Sequence, residues 1–308
     1  MDFWLAVVPP VSLALAIACA SYPAFRLAAG PRLVVLALVA SILLPIPWLV
    51  EPDRHFARFV VGVLAVVLVV KLYDLHLGAI LGDRPDFRSV FTYLINLTSA
   101  VRRKLAEEPR PGFAADLRRF GLAILGAALA GVVYAACRRV DWRPYPFAVE
   151  HSVKVVALFL VVEPACIAGA ATWRLLGGWT HEPMNNLFIA STPADFWRRY
   201  NRIASQFFHE NIFKPLGGRR RPAFGMMAVF ALSGLMHEYI FDVAAGRIQG
   251  EQMTFFLIQG VAVTLTARLK PKGWRRAVGI AATLAFNLAT GVLFFASMDE
   301  VVPFYQRR

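Results

Sequence analysis

Apolar residues in this chain are gathered into eight blocks, and this patterning constrains the fold more than any other feature. The blocks are Phe3–Ala20, Leu33–Val50, Phe59–Tyr73, Phe120–Cys137, Val153–Thr172, Ala223–Phe241, Met253–Ala267 and Ala277–Ala296. Most approach the ~20 residues that a helix needs to cross a hydrocarbon core about 30 Å thick; the third and seventh are shorter, so their limits can move by several residues. One soluble core cannot hold them all. Of 308 residues, 58% are hydrophobic and 17% charged, against about 45–50% and about 25% in soluble domains. Within lipid each segment must satisfy its own backbone N–H and C=O groups, so the expected fold is all-α. We therefore expect a polytopic integral membrane protein with about eight transmembrane helices, forming a single domain over 1–308. No internal repeat or low-complexity tract interrupts it. The first block is followed by Ser21-Tyr22-Pro23 and Arg26, which suits a retained helix better than a cleaved signal peptide.

A net charge of +13 would suggest nucleic acid as a partner for a soluble protein. Here the charge reports topology instead, and no nucleic acid is expected. With eight crossings, the odd loops carry 23 basic residues and the opposite face, termini included, carries 8. The positive-inside rule then places the odd loops in the cytosol and both termini outside. Arg-rich cytosolic loops without an organelle signal suit a bacterial inner membrane. Cys19, Cys137 and Cys166 all fall within apolar blocks and provide neither a disulfide framework nor metal-ligand spacing. Lys71 and Glu163 are charged exceptions, read as near helix ends where long side chains snorkel.

Two loops are long enough to carry structure. The first contains Phe87–Val101, too short to span and expected to be re-entrant or interfacial, with Arg102-Arg103-Lys104 after it at lipid headgroups. The second opens with Ser191-Thr192-Pro193-Ala194-Asp195: Thr192 suits a cap, Pro193 the first helical position, and Asp195 a capping box. Phe196, Tyr200, Ile203 and Phe207 then form one apolar stripe at helical spacing, with Arg198, Arg199, Arg202 and His209 on other faces. This predicts an amphipathic cytosolic helix in the interface plane, broken after Pro215-Leu216-Gly217-Gly218 and followed by Arg219–Arg221.

Polar groups inside a membrane segment are costly unless partnered, which makes them functional candidates. His237 is the clear case. Ser233, four residues earlier, shares its face; Gly234 leaves room for a substrate or a neighbouring helix; Glu238 points about 100° away. A plain interhelical hydrogen bond is the competing reading of His237. His55, His76, His151, His181 and His209 lie in loops or at helix ends, without the clustering a membrane di-iron enzyme requires. No metal site is expected.

The segment from Ser191 to Asn201, followed about 35 residues later by Ser233-Gly234-Leu235-Met236-His237-Glu238, resembles the membrane-bound O-acyltransferase family, in particular its wax-synthase-like branch. The resemblance covers roughly 185–245. It implies that His237 is the catalytic histidine and Asn201 the second polar residue of the active site, with Trp197 and Arg198 shaping the entrance for the acyl donor. Tyr200 stands where many relatives carry Trp. Transfer from a thioester to a hydroxyl needs a base for the hydroxyl proton and a donor at the developing oxyanion; Asn201 suits either oxyanion stabilisation or thioester positioning. Ser233, Glu238 and Arg199 complete the candidate substrate-binding set. Arg198, Arg199, Arg202 and Arg219–Arg221 suit either the phosphates of coenzyme A or anionic lipid. The implied partners are acyl-coenzyme A, as co-substrate and not as cofactor, a lipophilic alcohol, and membrane lipid. A transporter using Lys71, Glu163, His237 and Asn287 as a pathway is the alternative from another class; it predicts broken helices in two related halves, and none is evident. A non-catalytic lipid-binding subunit would tolerate the loss of His237.

Overall fold

The computed structural model describes residues 3–104, 112–178, 180 and 182–306; His181, Arg307 and Arg308 lie outside the described residues. The apolar blocks all become helices. They are α1 (Phe3–Ala20), α2 (Ala29–Leu43), α3 (His55–Ile80), α5 (Phe113–Arg139), α6 (Phe147–Leu175), α9 (Pro222–Ala245), α10 (Glu251–Thr266) and α11 (Trp274–Val301). Three short helices lie between them: α4 (Phe87–Ile95), α7 (Pro193–Arg199) and α8 (Arg202–Phe208). Among the described residues, seven helices are long and apolar enough to cross a membrane. The seventh block, α10, has 16 residues, about 24 Å of helix, and falls short of a full crossing by length alone.

Helix α9 sits at the centre, between α3 and α10. Close approach of α9 and α10 depends on two glycines. A Cβ on Gly234 would meet Met253 Sδ at 3.0 Å and Phe256 Cβ at 3.1 Å, and one on Gly260 would meet Phe230 Cβ at 2.8 Å. Small residues at such crossings let membrane helices pack backbone to backbone, so the room at Gly234 serves the neighbouring helix. Gly260→Leu is expected to overpack this contact and cost about 1–3 kcal/mol, read as a lower thermal midpoint in detergent.

Helix α4 is held by a buried charged cluster. Its first turn is capped by Asp86, which accepts from Ser89 N at 2.9 Å. At its other end Lys71 Nζ donates to the carbonyls of Tyr93, Leu94 and Asn96. Lys71 is 1% exposed and nine residues from the end of α3; it does not snorkel. Asp74, one turn on, accepts from Tyr93 Oη at 3.0 Å, Arg102 N at 2.9 Å, Arg103 Nη1 at 3.3 Å and Asn211 Nδ2 at 3.2 Å. Arg102 also pairs with Asp83. Arg102 and Arg103 are therefore engaged in internal ion pairs. Glu163 is likewise well inside its helix, in the middle of α6.

Helices α5 and α6 form a hairpin tied to the rest by the segment after α11. Lys154 Nζ, paired with Glu150, donates to Phe304 O at 2.7 Å, and Glu150 accepts from Gln306 N at 2.8 Å. His151 Nδ1 lies 2.6 Å from Tyr305 Oη and its Nε2 2.8 Å from Leu288 O. The carbonyl can only accept, so Nε2 carries the proton and Nδ1 accepts from the tyrosine.

The expected single amphipathic helix is two. Thr192 Oγ1 caps α7 through Asp195 N at 3.0 Å, and Asp195 reaches back to Ser191 N at 3.1 Å. The chain then breaks at Tyr200 and Asn201. Asn201 adopts φ 41°, ψ 59°, left-handed backbone that asparagine tolerates better than most residues. After α8, a π turn covers His209–Phe213.

Candidate active site

The break between α7 and α8 lies over a cavity of about 960 Å³, near the top of the range of about 300–1,000 Å³ usual for ligand pockets. Its walls come from α3, α6, α9, α10 and α11. Phe196, Tyr200, Ile203 and Phe207 all line it, so the apolar stripe of α7 and α8 faces the cavity. On α9 the lining runs from Met226 to Phe241, roughly 22 Å of helix.

His237 lines this cavity, as do Asn201, Trp197, Arg198 and Ser233. His237 lies far along α9 from the α7–α8 end, and the cavity bridges that difference in depth. Its ring stands 4.4 Å from that of Phe256 and 6.3 Å from that of Phe294. Nδ1 is 2.8 Å from Ser233 O. A carbonyl accepts only, so Nδ1 carries the proton and the neutral ring keeps a bare lone pair on Nε2. Ser233 thus bears on His237 through its backbone oxygen.

A second polar group is built on Gln259, which was missed in the sequence, and on Asn287, which figured there only in the transport alternative. Trp197 Nε1, which can only donate, lies 2.9 Å from Gln259 Oε1. This fixes the amide of Gln259, whose Nε2 must then donate: to Thr290 Oγ1 at 2.9 Å and to Asn287 Oδ1 at 3.4 Å. The amide of Asn287 is fixed in turn. Its Nδ2 is buried and has no partner among the described residues, and Asn287 lines the cavity. Gln259 is one turn, about 4.5 Å, from the Phe256 that touches His237. A buried amide donor left open is rare unless a ligand or water completes it. The sequence signal was a glutamine and an asparagine inside apolar blocks, but nothing in one dimension showed that they meet.

Asn201 caps α8 by accepting from Ala204 N through Oδ1 at 3.2 Å, and its Nδ2 has no partner among the described residues. Arg199 and Glu238 do not line the cavity. Arg199 is tied to Asp195 at 3.0 Å and Asn185 O at 3.2 Å. Glu238 caps the start of α10, accepting from Gly250 N and from Met253 N at 2.8 Å. Both side chains hold neighbouring segments instead of reaching the candidate site. Of the four residues offered as a transport pathway, His237 and Asn287 line the cavity; Lys71 and Glu163 do not.

At the α7–α8 end, burial pushes the Tyr200 phenol up to about 12, so it stays neutral. His209, also in the lining, stacks on Phe213 at 5.4 Å, and burial holds its ring below the usual imidazole value.

A chamber inside a helix bundle with a histidine, two open amides and an Arg-bearing mouth fits the pair of motifs noted in the sequence. Residues 172–298 match the membrane-bound O-acyltransferase family. That stretch contains both motifs and, of the candidates above, all but Lys71 and Glu163. Among individual relatives, a probable long-chain-alcohol O-fatty-acyltransferase 2 of Arabidopsis thaliana is 32% identical over 159 residues, 46% of each chain. The acyl-CoA–sterol O-acyltransferase 1 of the same plant is 28% identical over 166 residues, 49% of this chain and 48% of its own. A long-chain-alcohol O-fatty-acyltransferase of Simmondsia chinensis is 30% identical over 153 residues, 44% of each. The chain spans about half the length of these relatives. The wax-synthase-like resemblance is borne out at the level of the family, and the named relatives accept both long-chain alcohols and sterols.

Proposed function

We propose that the protein is a membrane O-acyltransferase that moves an acyl group from a coenzyme A thioester to the hydroxyl of a lipophilic alcohol. The observation that carries this reading is the fixed tautomer of His237, with a bare Nε2 beside the cavity that the open amides also reach. In the reaction, Nε2 takes the hydroxyl proton as the oxygen attacks the thioester carbonyl. A C–O bond forms, and the carbonyl electrons pass to oxygen, where an amide N–H stabilises them. As the tetrahedral intermediate collapses the C–S bond breaks, and the imidazolium returns its proton to the leaving thiolate. The free thiol and the ester depart, and His237 is again neutral.

Both open amides face the cavity, Asn287 Nδ2 in the wall and Asn201 at the break; we assign the oxyanion to Asn287 and a hold on the coenzyme A portion of the donor to Asn201. Asn287→Leu is expected to lower kcat by about 10²-fold with little change in KM for the donor. Equal losses for acetyl and palmitoyl donors in steady-state kinetics support a role at the reacting centre. The mouth carries Arg198 and His209 and belongs to the basic, cytosolic side of the charge asymmetry, where coenzyme A is available.

The test uses purified full-length protein in detergent. Thiol release and ester formation are followed from acetyl-, octanoyl- and palmitoyl-coenzyme A, with dodecanol, hexadecanol or a sterol as acceptor. Alcohol-dependent release with matching ester supports the reading; absence of ester with every pair, or release indifferent to the alcohol, sinks it.

A further inference from the structure

We propose that Phe59, Phe241 and Phe294 form a stop that limits the length of the acyl chain, and that the enzyme selects donors short enough to end there. The inference rests on the acyltransferase reading and names the specificity element of the same site. Its basis is the lopsided position of His237 in the chamber. From Met226 to His237 the lining extends for roughly 16 Å along α9, while from His237 to its last lining residue, Phe241, only about 6 Å remain.

The two arms differ in chemistry. The long arm ends among Arg198, Asn201, Ser205 and His209, the polar end that suits the charged portion of coenzyme A. The short arm is apolar and closes on aromatic rings. Phe59 and Phe241 have ring centroids 5.2 Å apart, and Phe241 and Phe294 5.7 Å apart. Behind them Ala244, fully buried, and Val301 close the wall with Met298. A thioester whose carbonyl lies at His237 and whose coenzyme A fills the long arm directs its acyl chain into the short one. There the chain meets three rings, each rigid and held by the next. Each methylene that fits or fails to fit an apolar pocket changes selectivity by about 10–200-fold, so the stop gives a sharp cut-off in donor length.

The experiment measures kcat/KM for an acyl-coenzyme A series from acetyl to palmitoyl with one fixed long-chain alcohol, and for an alcohol series from octanol to octadecanol with one fixed donor. It compares wild type with Phe241→Leu, Phe59→Leu and Val63→Phe, the last adding bulk one turn from Phe59 on the same wall. Expected results are a wild-type optimum among the shorter donors, an optimum moved to longer ones in the two leucine variants by at least 10-fold in the long-to-short ratio, and one moved to shorter donors in Val63→Phe. Leucine at either phenylalanine position keeps an apolar side chain there, and the opposite shift in Val63→Phe does not depend on their folding. A donor profile unchanged in active variants overturns the proposal, as does a shift in preferred alcohol length with donor preference constant, because the acceptor would then occupy the short arm. Absence of ester from wild type with every pair would instead remove the acyltransferase reading itself.

Discussion

Replacing His237 by alanine is expected to lower acyl transfer by about 10²–10⁴-fold while the helical fold persists. The rate effect follows from the loss of the bare Nε2, an imidazole nitrogen of the cavity whose tautomer the protein fixes. The limited structural effect follows from position: the ring already borders a cavity, and its partner is a backbone carbonyl of its own helix, Ser233 O. Removing it leaves that carbonyl in the α9 ladder and orphans no buried charge. Steady-state thiol release gives the rate, and circular dichroism with size-exclusion profile gives the fold. A folded variant that keeps half of the wild-type rate would take His237 out of the proton transfer. His237→Gln is a useful companion, since it restores a hydrogen-bonding group without a base and should be as inactive as alanine.

The second large effect concerns stability. Asp74→Ala is expected to destabilise the protein by about 3–5 kcal/mol, the usual consequence of removing one partner from a buried charge pair. Asp74 gathers a phenol, a backbone N–H, a guanidinium and an amide from α4, the segment after it and the π turn. Its loss leaves the partly buried Arg103 guanidinium facing no carboxylate among the described residues. A thermal midpoint in detergent that matches wild type would show that water reaches the cluster and that the pairing counts for little. Replacing Asp74 and Arg103 together by apolar residues should recover part of the loss, because the pair vanishes without an uncompensated charge. Activity is expected to fall less than stability, since Asp74 does not line the chamber.

The helices were legible because hydropathy is a one-dimensional signal with a length set by the bilayer. Block Phe3–Ala20 coincides with α1 residue for residue. The motif histidine was legible because a polar group is conspicuous in an apolar run. What the pattern hid was pairing. Lys71 reads as a snorkelling side chain until α4 folds back so that its terminal carbonyls meet the ammonium. The stripe from Phe196 to Phe207 reads as one helix, since side-chain periodicity carries no record of the left-handed residue at Asn201 that breaks it. Gln259 and Asn287 lie 28 positions apart, and only the packing of α10 against α11 brings them together with Trp197. Glu238 follows the motif histidine directly, yet it faces α10 and caps it.

The tie between the α5–α6 hairpin and the segment after α11 bears on how the chamber is made. Val155, Val156 and Phe159 of α6 form one of its walls, but the anchor for that wall, Phe304 O on Lys154, lies 150 positions later in the chain. At roughly 5–20 residues per second, a ribosome needs on the order of 8–30 s to bridge that interval. Throughout it Lys154 and Glu150 lack the carbonyl and the N–H that latch the hairpin. This wall of the chamber is therefore the last to be fastened, and the site is complete only after residue 304 has been made.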